Sequence, residues 1–176
     1  VYNRDFFDES GIPPLDRDRS LSWEEVRALN QKLTLQDPNG RLTRVGWYPV
    51  EARNDRMDIM EALLGMPVID FENGQVLIDQ PAYVELFISF DTLIQDMGRE
   101  KVAEFFGGWS TRWWSLTRGE TAMANYSGLL EEINKRATWN FDVTWHPSSD
   151  GTKAYVLGGW GVGIPVNARH PEEAWR

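Results

Sequence analysis

Apolar residues recur along this chain in two alternating rhythms, one helical and one strand-like. After Ser22-Trp23-Glu24-Glu25, whose Ser-x-x-Glu order is that of a capping box, Val26, Leu29 and Leu33 follow at helical spacing and predict a helix over 23–34. Asp37-Pro38-Asn39-Gly40 makes a turn, and Leu42 to Trp47 alternates as a strand does. Met57, Met60, Leu63 and Leu64 return to the helical spacing and stop at Gly65. The runs Pro67 to Asp70 and Gln75 to Ile78 flank Glu72-Asn73-Gly74, a strong hairpin signal. Pro81 suits a first helical position, and Tyr83, Phe87, Phe90, Ile94 and Met97 mark the apolar face of the longest helix, closed by Gly98. A helical Glu100 to Phe106, a strand at Ala122-Met123-Ala124, a helix from Leu129 to Arg136 and a strand from Phe141 to Trp145 follow. This alternation predicts an α/β layer arrangement with Met123 and the long-helix aromatics in its core.

The ends and breaks refine the picture. Val1 to Phe7 is a short amphipathic stretch ended by Gly11 and Pro13-Pro14, and His146 to Gly151 is the last polar break before Tyr155 to Pro165. The chain stops within Pro171 to Arg176, a helix barely begun, so both ends read as cut from something longer. No internal repeat or low-complexity tract is visible.

With 176 residues, 41% hydrophobic and 26% charged, the chain has the make-up of one compact globular domain rather than of a disordered one. Eighteen basic against 27 acidic residues leave a net charge of −9, which repels phosphate backbones and anionic membranes and makes nucleic acid a poor partner. No run of about 18 apolar residues reads as a membrane span, and no basic-then-apolar start reads as a signal peptide. The absence of Cys removes disulfides, thiolate nucleophiles and Cys-ligated zinc. Nine Trp residues are a surplus that suits either a core or stacking platforms for a ligand with an apolar face and a polar rim.

Catalytic signatures are missing. There is no phosphate-binding loop, nucleophile elbow or zinc helix, and Gly158-Gly159-Trp160-Gly161-Val162-Gly163 lacks dinucleotide-loop spacing. Asp16, Asp18 and Ser20 faintly match a calcium loop, but Leu21 stands where Gly is needed and Arg27 where the bidentate Glu is needed. His146 and His170 each precede a Pro, where a turn or helix start is expected, and neither has a second His or Cys at ligand spacing. The expectation is therefore no metal and no cofactor. Asp70 and Glu72 are the one carboxylate pair that glycoside hydrolysis could use, yet they bracket the hairpin turn and read as solvated turn residues. The glycosylation-like triplet Asn125-Tyr126-Ser127 follows a strand and carries no argument.

The residues also carry a family resemblance. Tyr2-Asn3-Arg4-Asp5-Phe6-Phe7-Asp8-Glu9-Ser10-Gly11-Ile12-Pro13 resembles the Tyr-Asn-Lys-Asp-Leu-Phe segment of family 1 extracellular solute-binding proteins, the receptor subunits of sugar-importing ABC transporters and relatives of the maltose-binding protein. Five further stretches agree in the family's order: Ser22 to Glu25, Lys101 to Phe106, Gly119 to Met123, Gly158 to Pro165 and His170 to Trp175. The resemblance implies one lobe of the periplasmic-binding-protein-like II type, a mixed β-sheet flanked by helices. Residues 1–176 would be the second lobe of a two-lobed receptor, with 155–176 a hinge-crossing strand and the start of the next helix. The first, N-terminal lobe would lie upstream.

The same resemblance implies a binding protein with no chemical turnover, periplasmic or extracellular and lipid-anchored in some members. Its partners would be a small solute of carbohydrate type, the missing lobe and the ABC permease subunits, and an isolated lobe would expose a cleft face able to self-associate. By position, Trp160 with Gly158 and Gly159 matches the family's cleft-facing strand, and Tyr126 and Ser127 match the loop after the Ala-Met strand. Trp47 and Tyr48, with Arg53 and Asp55 at the polar start of the next helix, match a third cleft loop. Trp113 and Trp114 point to opposite sides, so Trp113 is the one taken as cleft-facing. Against each aromatic stands core packing. Leu129 replaces a frequent Trp, and the charged stretch Glu51 to Arg56 stands where the family is often aromatic or glycine-rich, so Arg53 or Arg56 would meet a carboxylate or phosphate on the solute. Two rival readings remain: a carbohydrate hydrolase using Asp70 and Glu72, and a stand-alone carbohydrate-binding module, against which the helical patterns speak.

Overall fold

The computed structural model of the chain describes residues 1–48, 57–107, 115–125, 130–148, 151, 153 and 163–175. In chain order the described elements are β1 (Tyr2–Asn3), α1 (Arg4–Glu9), α2 (Trp23–Leu33), β2 (Leu35–Gln36), β3 (Leu42–Trp47), α3 (Met57–Leu64), β4 (Ile69–Asp70) and β5 (Gln75–Val76). They continue as α4 (Pro81–Met97), α5 (Arg99–Phe106), β6 (Thr121–Met123), α6 (Leu130–Arg136), β7 (Phe141–Asp142) and α7 (Pro171–Trp175).

The capping box forms as the sequence requires. Ser22 Oγ accepts from the Glu25 N–H at 3.2 Å, and the Glu25 carboxylate accepts from the Ser22 N–H at 2.8 Å. Arg19 donates to both Glu25 oxygens, at 2.8 and 2.6 Å. These bonds, the Arg19 pair first among them, hold the Glu25 carboxyl down to about 2. From there α2 buries Val26, Asn30 and Leu33.

Five strands form one sheet in the order β2-β3-β6-β1-β7, and β4 and β5 pair apart from it as a hairpin. Only β3 and β6 run parallel, in the register Val45 to Thr121 and Trp47 to Met123; the other pairs are antiparallel. The connection from β3 to β6 passes through α3, the hairpin, α4 and α5, as a parallel pair demands. Strand β3, flanked by β2 and β6, is buried from Arg44 to Trp47. Arg44 and Gly46 meet α2, whereas Val45 packs with Val102 and Phe106 of α5, so helices flank β3 on both faces. The expected α/β class, a mixed sheet with flanking helices, is what the chain adopts.

The main core gathers Tyr2, Phe7, Val26, Leu33, Trp47, Leu86, Phe90, Leu93 and Met123, and a second cluster joins Leu42, Val45, Met97, Val102 and Phe106. Burying each of the larger apolar side chains stabilises by about 1.5–3 kcal/mol. The long helix buries a different seam from the one expected: Tyr83, Leu86, Phe90, Leu93 and Met97. Phe87 is 37% exposed and leaves the core set, because the 83/86/90/93/97 and 83/87/90/94/97 ridges are both helical and only the neighbouring helices choose between them.

The amphipathic stretch at the start divides in two: Tyr2 and Asn3 form a strand inside the sheet, and helix α1 starts at Arg4. The strand expected over Phe141 to Trp145 ends at Asp142, because the next side chains turn to the segment before α2. Thr144 Oγ1 donates to the Asp16 carbonyl at 3.5 Å and Trp145 Nε1 to the Arg17 carbonyl at 2.8 Å. Pro147 and Ser148 of the expected polar break are buried, with the Ser148 N–H donating to the Leu21 carbonyl at 3.0 Å. The strand expected within Tyr155 to Pro165 falls mostly outside the described residues.

Candidate functional site

The sheet register decides where loops meet. Trp47 ends β3 and is the register partner of Met123, which ends parallel β6. The chain therefore leaves both strands side by side at one edge, at Tyr48 and at Ala124. Val1 lies at the same edge, exchanging two backbone hydrogen bonds of 3.0 Å with Ala124. Strand β7 runs antiparallel to β1 and delivers Val143, Thr144 and Trp145 there too. In open α/β sheets, ligands sit in the crevice beyond the carboxyl ends of the strands, and this edge holds those ends.

Two of the residues expected to line a cleft are described. Trp47 is 2% exposed, with its ring centroid 5.9 Å from that of Trp23 and 6.1 Å from that of Phe90. It packs in the core and offers no open ring face; the expected stacking role gives way to burial because α2 and α4 close over it. Tyr48 is half-buried, with its ring 4.7 Å from Phe106 at an interplanar angle of 47°, so one side is braced by the α5 cluster. Arg53, Asp55, Trp113, Tyr126, Ser127, Gly158, Gly159 and Trp160 lie outside the described residues.

The link that fixes this edge comes from α2. Asn30, 1% exposed, accepts from the Trp47 N–H at 2.8 Å and from the Thr34 hydroxyl at 3.2 Å through Oδ1. Thr34 Oγ1 in turn accepts from the Gly46 N–H at 3.0 Å. A Cβ at Gly46 would lie 2.7 Å from the Asn30 Cα and carbonyl oxygen, so only glycine admits this approach of helix to strand. Periodicity marks position 30 as core-facing but cannot reveal a polar core role.

The segment after β7 adds groups that spacing did not signal. His146 Nδ1 and Ser148 Oγ are buried without a hydrogen-bond partner. Burial, with the Val1 amino group adding to it, pushes the His146 imidazole below its ordinary pKa. Trp145 is half-buried, with Lys153 Nζ 5.5 Å from its ring. The Trp surplus thus divides among roles: Trp47 is core, Trp23, Trp139 and Trp145 are half-buried, and Trp175 is exposed.

The carboxylate pair of the hydrolase reading is a turn. Asp70 Oδ1 accepts from the Glu72 and Asn73 N–H groups at 3.0 and 3.1 Å, and Oδ2 accepts from Asn73 Nδ2 at 2.7 Å. These bonds, the Asn73 side chain's first, hold the Asp70 carboxyl below its usual range. Among the described residues no cluster of His, Asp or Glu could hold a metal ion, and no helix is long and apolar enough to cross a membrane.

The fold is thus an α/β unit, a mixed sheet with flanking helices in which the chain leaves β3, β6 and β7 at one edge. The family model for bacterial extracellular solute-binding proteins matches residues 1–176, and the chain belongs to that family. This is the family the sequence resembles, and it is one of binding proteins rather than enzymes. Three solved structures share the fold. A protein named CpMnBP1, with mannobiose bound, superposes with a TM-score of 0.72 at 20% identity over 87% of this chain and 39% of that one. An ABC transporter solute-binding protein from Thermotoga lettingae TMO, bound with α-D-tagatose, gives 0.68 at 20% identity over 99% of this chain and 44% of its own. An ABC substrate-binding protein from Listeria monocytogenes in complex with cycloalternan gives 0.50 at 21% identity over 70% and 30%. The chain thus spans less than half the length of each of these proteins. Among curated protein sequences no match is found.

Proposed function

We propose that this chain is the second lobe of an ABC-importer receptor, holding a carbohydrate at the carboxyl edge of its sheet without transforming it. The observation that carries the reading is the Trp47 to Met123 register, which sets the chain leaving β3 at Tyr48 beside the chain leaving β6 at Ala124. Family membership and the sugars bound by structures of the same fold support it. In this reading Tyr48, Tyr126, Ser127, Trp113 and Trp160 supply ring faces and hydroxyls, Gly158 and Gly159 admit the sugar close to the backbone, and Arg53 and Asp55 bond its rim.

The partner lobe, absent from this chain, covers the opposite side of the sugar, and the lobes close by hinge motion through residues 155–176. The assembled receptor works outside the cytoplasmic membrane, lipid-anchored or free, and delivers its solute to permease subunits. Left uncovered, the cleft edge of a lone lobe self-associates at high concentration.

Calorimetric titration with mannobiose tests the reading. Half a cleft binds with a Kd above about 1 mM, and supplying the first lobe tightens it. Micromolar binding by this chain alone overturns the half-cleft proposal. Turnover of chromogenic glycosides, lost on Asp70→Asn, favours the hydrolase instead.

A further inference from the structure

The polar pair beneath the cleft edge has a directional logic that core packing does not need. Asn30 stands in the last turn of α2 and Thr34 is its C-cap, and their side chains form a relay. Gly46 N–H donates to Thr34 Oγ1, Thr34 O–H donates to Asn30 Oδ1, and Trp47 N–H donates to that same oxygen. The relay therefore grips the last two backbone amides before the chain leaves the sheet at Tyr48. Each oxygen serves two partners, so χ1 of Thr34 together with χ1 and χ2 of Asn30 sets both amide contacts. Asn30 Nδ2 is buried without a partner, a cost the site tolerates to keep the carbonyl oxygen in place. An apolar residue at position 30 would avoid that cost but leave the Trp47 N–H ungripped.

We propose that Asn30 and Thr34 are positioning residues for the binding edge, setting where Tyr48 sits. Backbone is held by the relay on one side, and the ring is braced by Phe106 on the other. With Gly46 admitting no side chain, helix α2 and the end of β3 move as one body. The aim of Tyr48 is then decided by α2 and α5 rather than by the loop that follows it. The positioning matters for function only through the proposal that Tyr48 meets the solute.

Backbone-labelled protein and nuclear magnetic resonance test this on the full chain. Thr34→Val keeps shape and removes the hydroxyl, Thr34→Ser keeps the hydroxyl, and Asn30→Ala removes the shared acceptor. Amide exchange is expected to quicken about tenfold at Gly46 in Thr34→Val and at Trp47 in Asn30→Ala. Both variants shift the Tyr48 amide and ring signals, while those of Tyr83 and Ile133 stay in place. Thr34→Ser restores the wild-type Tyr48 signals, which a general loss of packing would not do. Tyr48 signals unmoved in Thr34→Val overturn the proposal, even where Asn30→Ala fails to fold. Titration of wild type with mannobiose, with the first lobe supplied, separates the two readings: Tyr48 signals that do not respond to the sugar then count against the proposed function and leave the relay standing.

Discussion

The guanidinium carbon of Arg44 lies 4.2 Å from the centroid of the Phe6 ring, placing a buried cation over an aromatic face between α1 and β3. Arg44 Nε also donates to the Leu33 carbonyl at 2.8 Å, satisfying a carbonyl at the C-terminal end of α2, and Nη1 reaches Glu9 at 2.7 Å. One side chain thus ties two helices to β3. Arg44→Met is expected to destabilise by about 2–3 kcal/mol, since it leaves the Leu33 carbonyl without its partner. Glu9→Gln costs less than about 1 kcal/mol, because that carboxylate is largely in solvent. Urea unfolding of the two variants checks the order.

Gly46→Ala forces a Cβ into the backbone of Asn30, 2.7 Å from its Cα. The expected loss is about 2–3 kcal/mol, as for overpacking against atoms that cannot rotate away. The thermal midpoint measures it. Gly65→Ala is the contrast: nothing lies within 4 Å of its added Cβ, so only the strain of φ +62° is felt.

Acid weakens the fold in two steps. The His146 imidazole is depressed below 6.5 in the folded state by burial, so the unfolded chain takes up the proton first and stability falls as pH drops below about 6.5. Glu25 is held at about 2 against 4.5, so its contribution is complete above 4.5 and is lost as pH falls toward 2. Asp142 adds to the lower step. Burial pushes its carboxyl up, but Arg17 at 2.6 Å, the Val143 N–H and the Tyr2 hydroxyl together hold it below its usual range. His146→Gln flattens the upper step and Glu25→Gln the lower one, read from urea midpoints between pH 8 and pH 2.

Asp70→Ala opens the turn between β4 and β5. Amide exchange at Glu72 and Asn73 is expected to quicken, since both N–H groups donate to that carboxylate.

The helices and turns were largely legible because local chemistry decides them. Ser22 and Glu25 cap α2 wherever that segment goes, Pro81 and Gly98 bound α4, and Glu72-Asn73-Gly74 bends the chain between β4 and β5. The family likewise followed from six short stretches in order. The two-residue strands Tyr2-Asn3 and Leu35-Gln36 escaped, because two residues alone have no period to read, and the pairing of Tyr2-Asn3 with Phe141-Asp142 crosses almost the whole described chain. Of the candidate site, the position of Tyr48 just after a strand was legible, whereas the burial of Trp47 was not, because it depends on Trp23 and Phe90 meeting it from distant segments.

By itself, then, the sequence determined the elements, their caps and turns and the family, since those depend on neighbours within about one helical turn. Only the tertiary structure decided that α4 buries Leu86 and Leu93 instead of Phe87 and Ile94. It alone decided that Trp47 is walled in by Trp23 and Phe90, and that a buried Asn on α2 grips the strand leading to Tyr48. A Trp ring serves core and ligand equally well, and which one it meets depends on what distant segments bring against it.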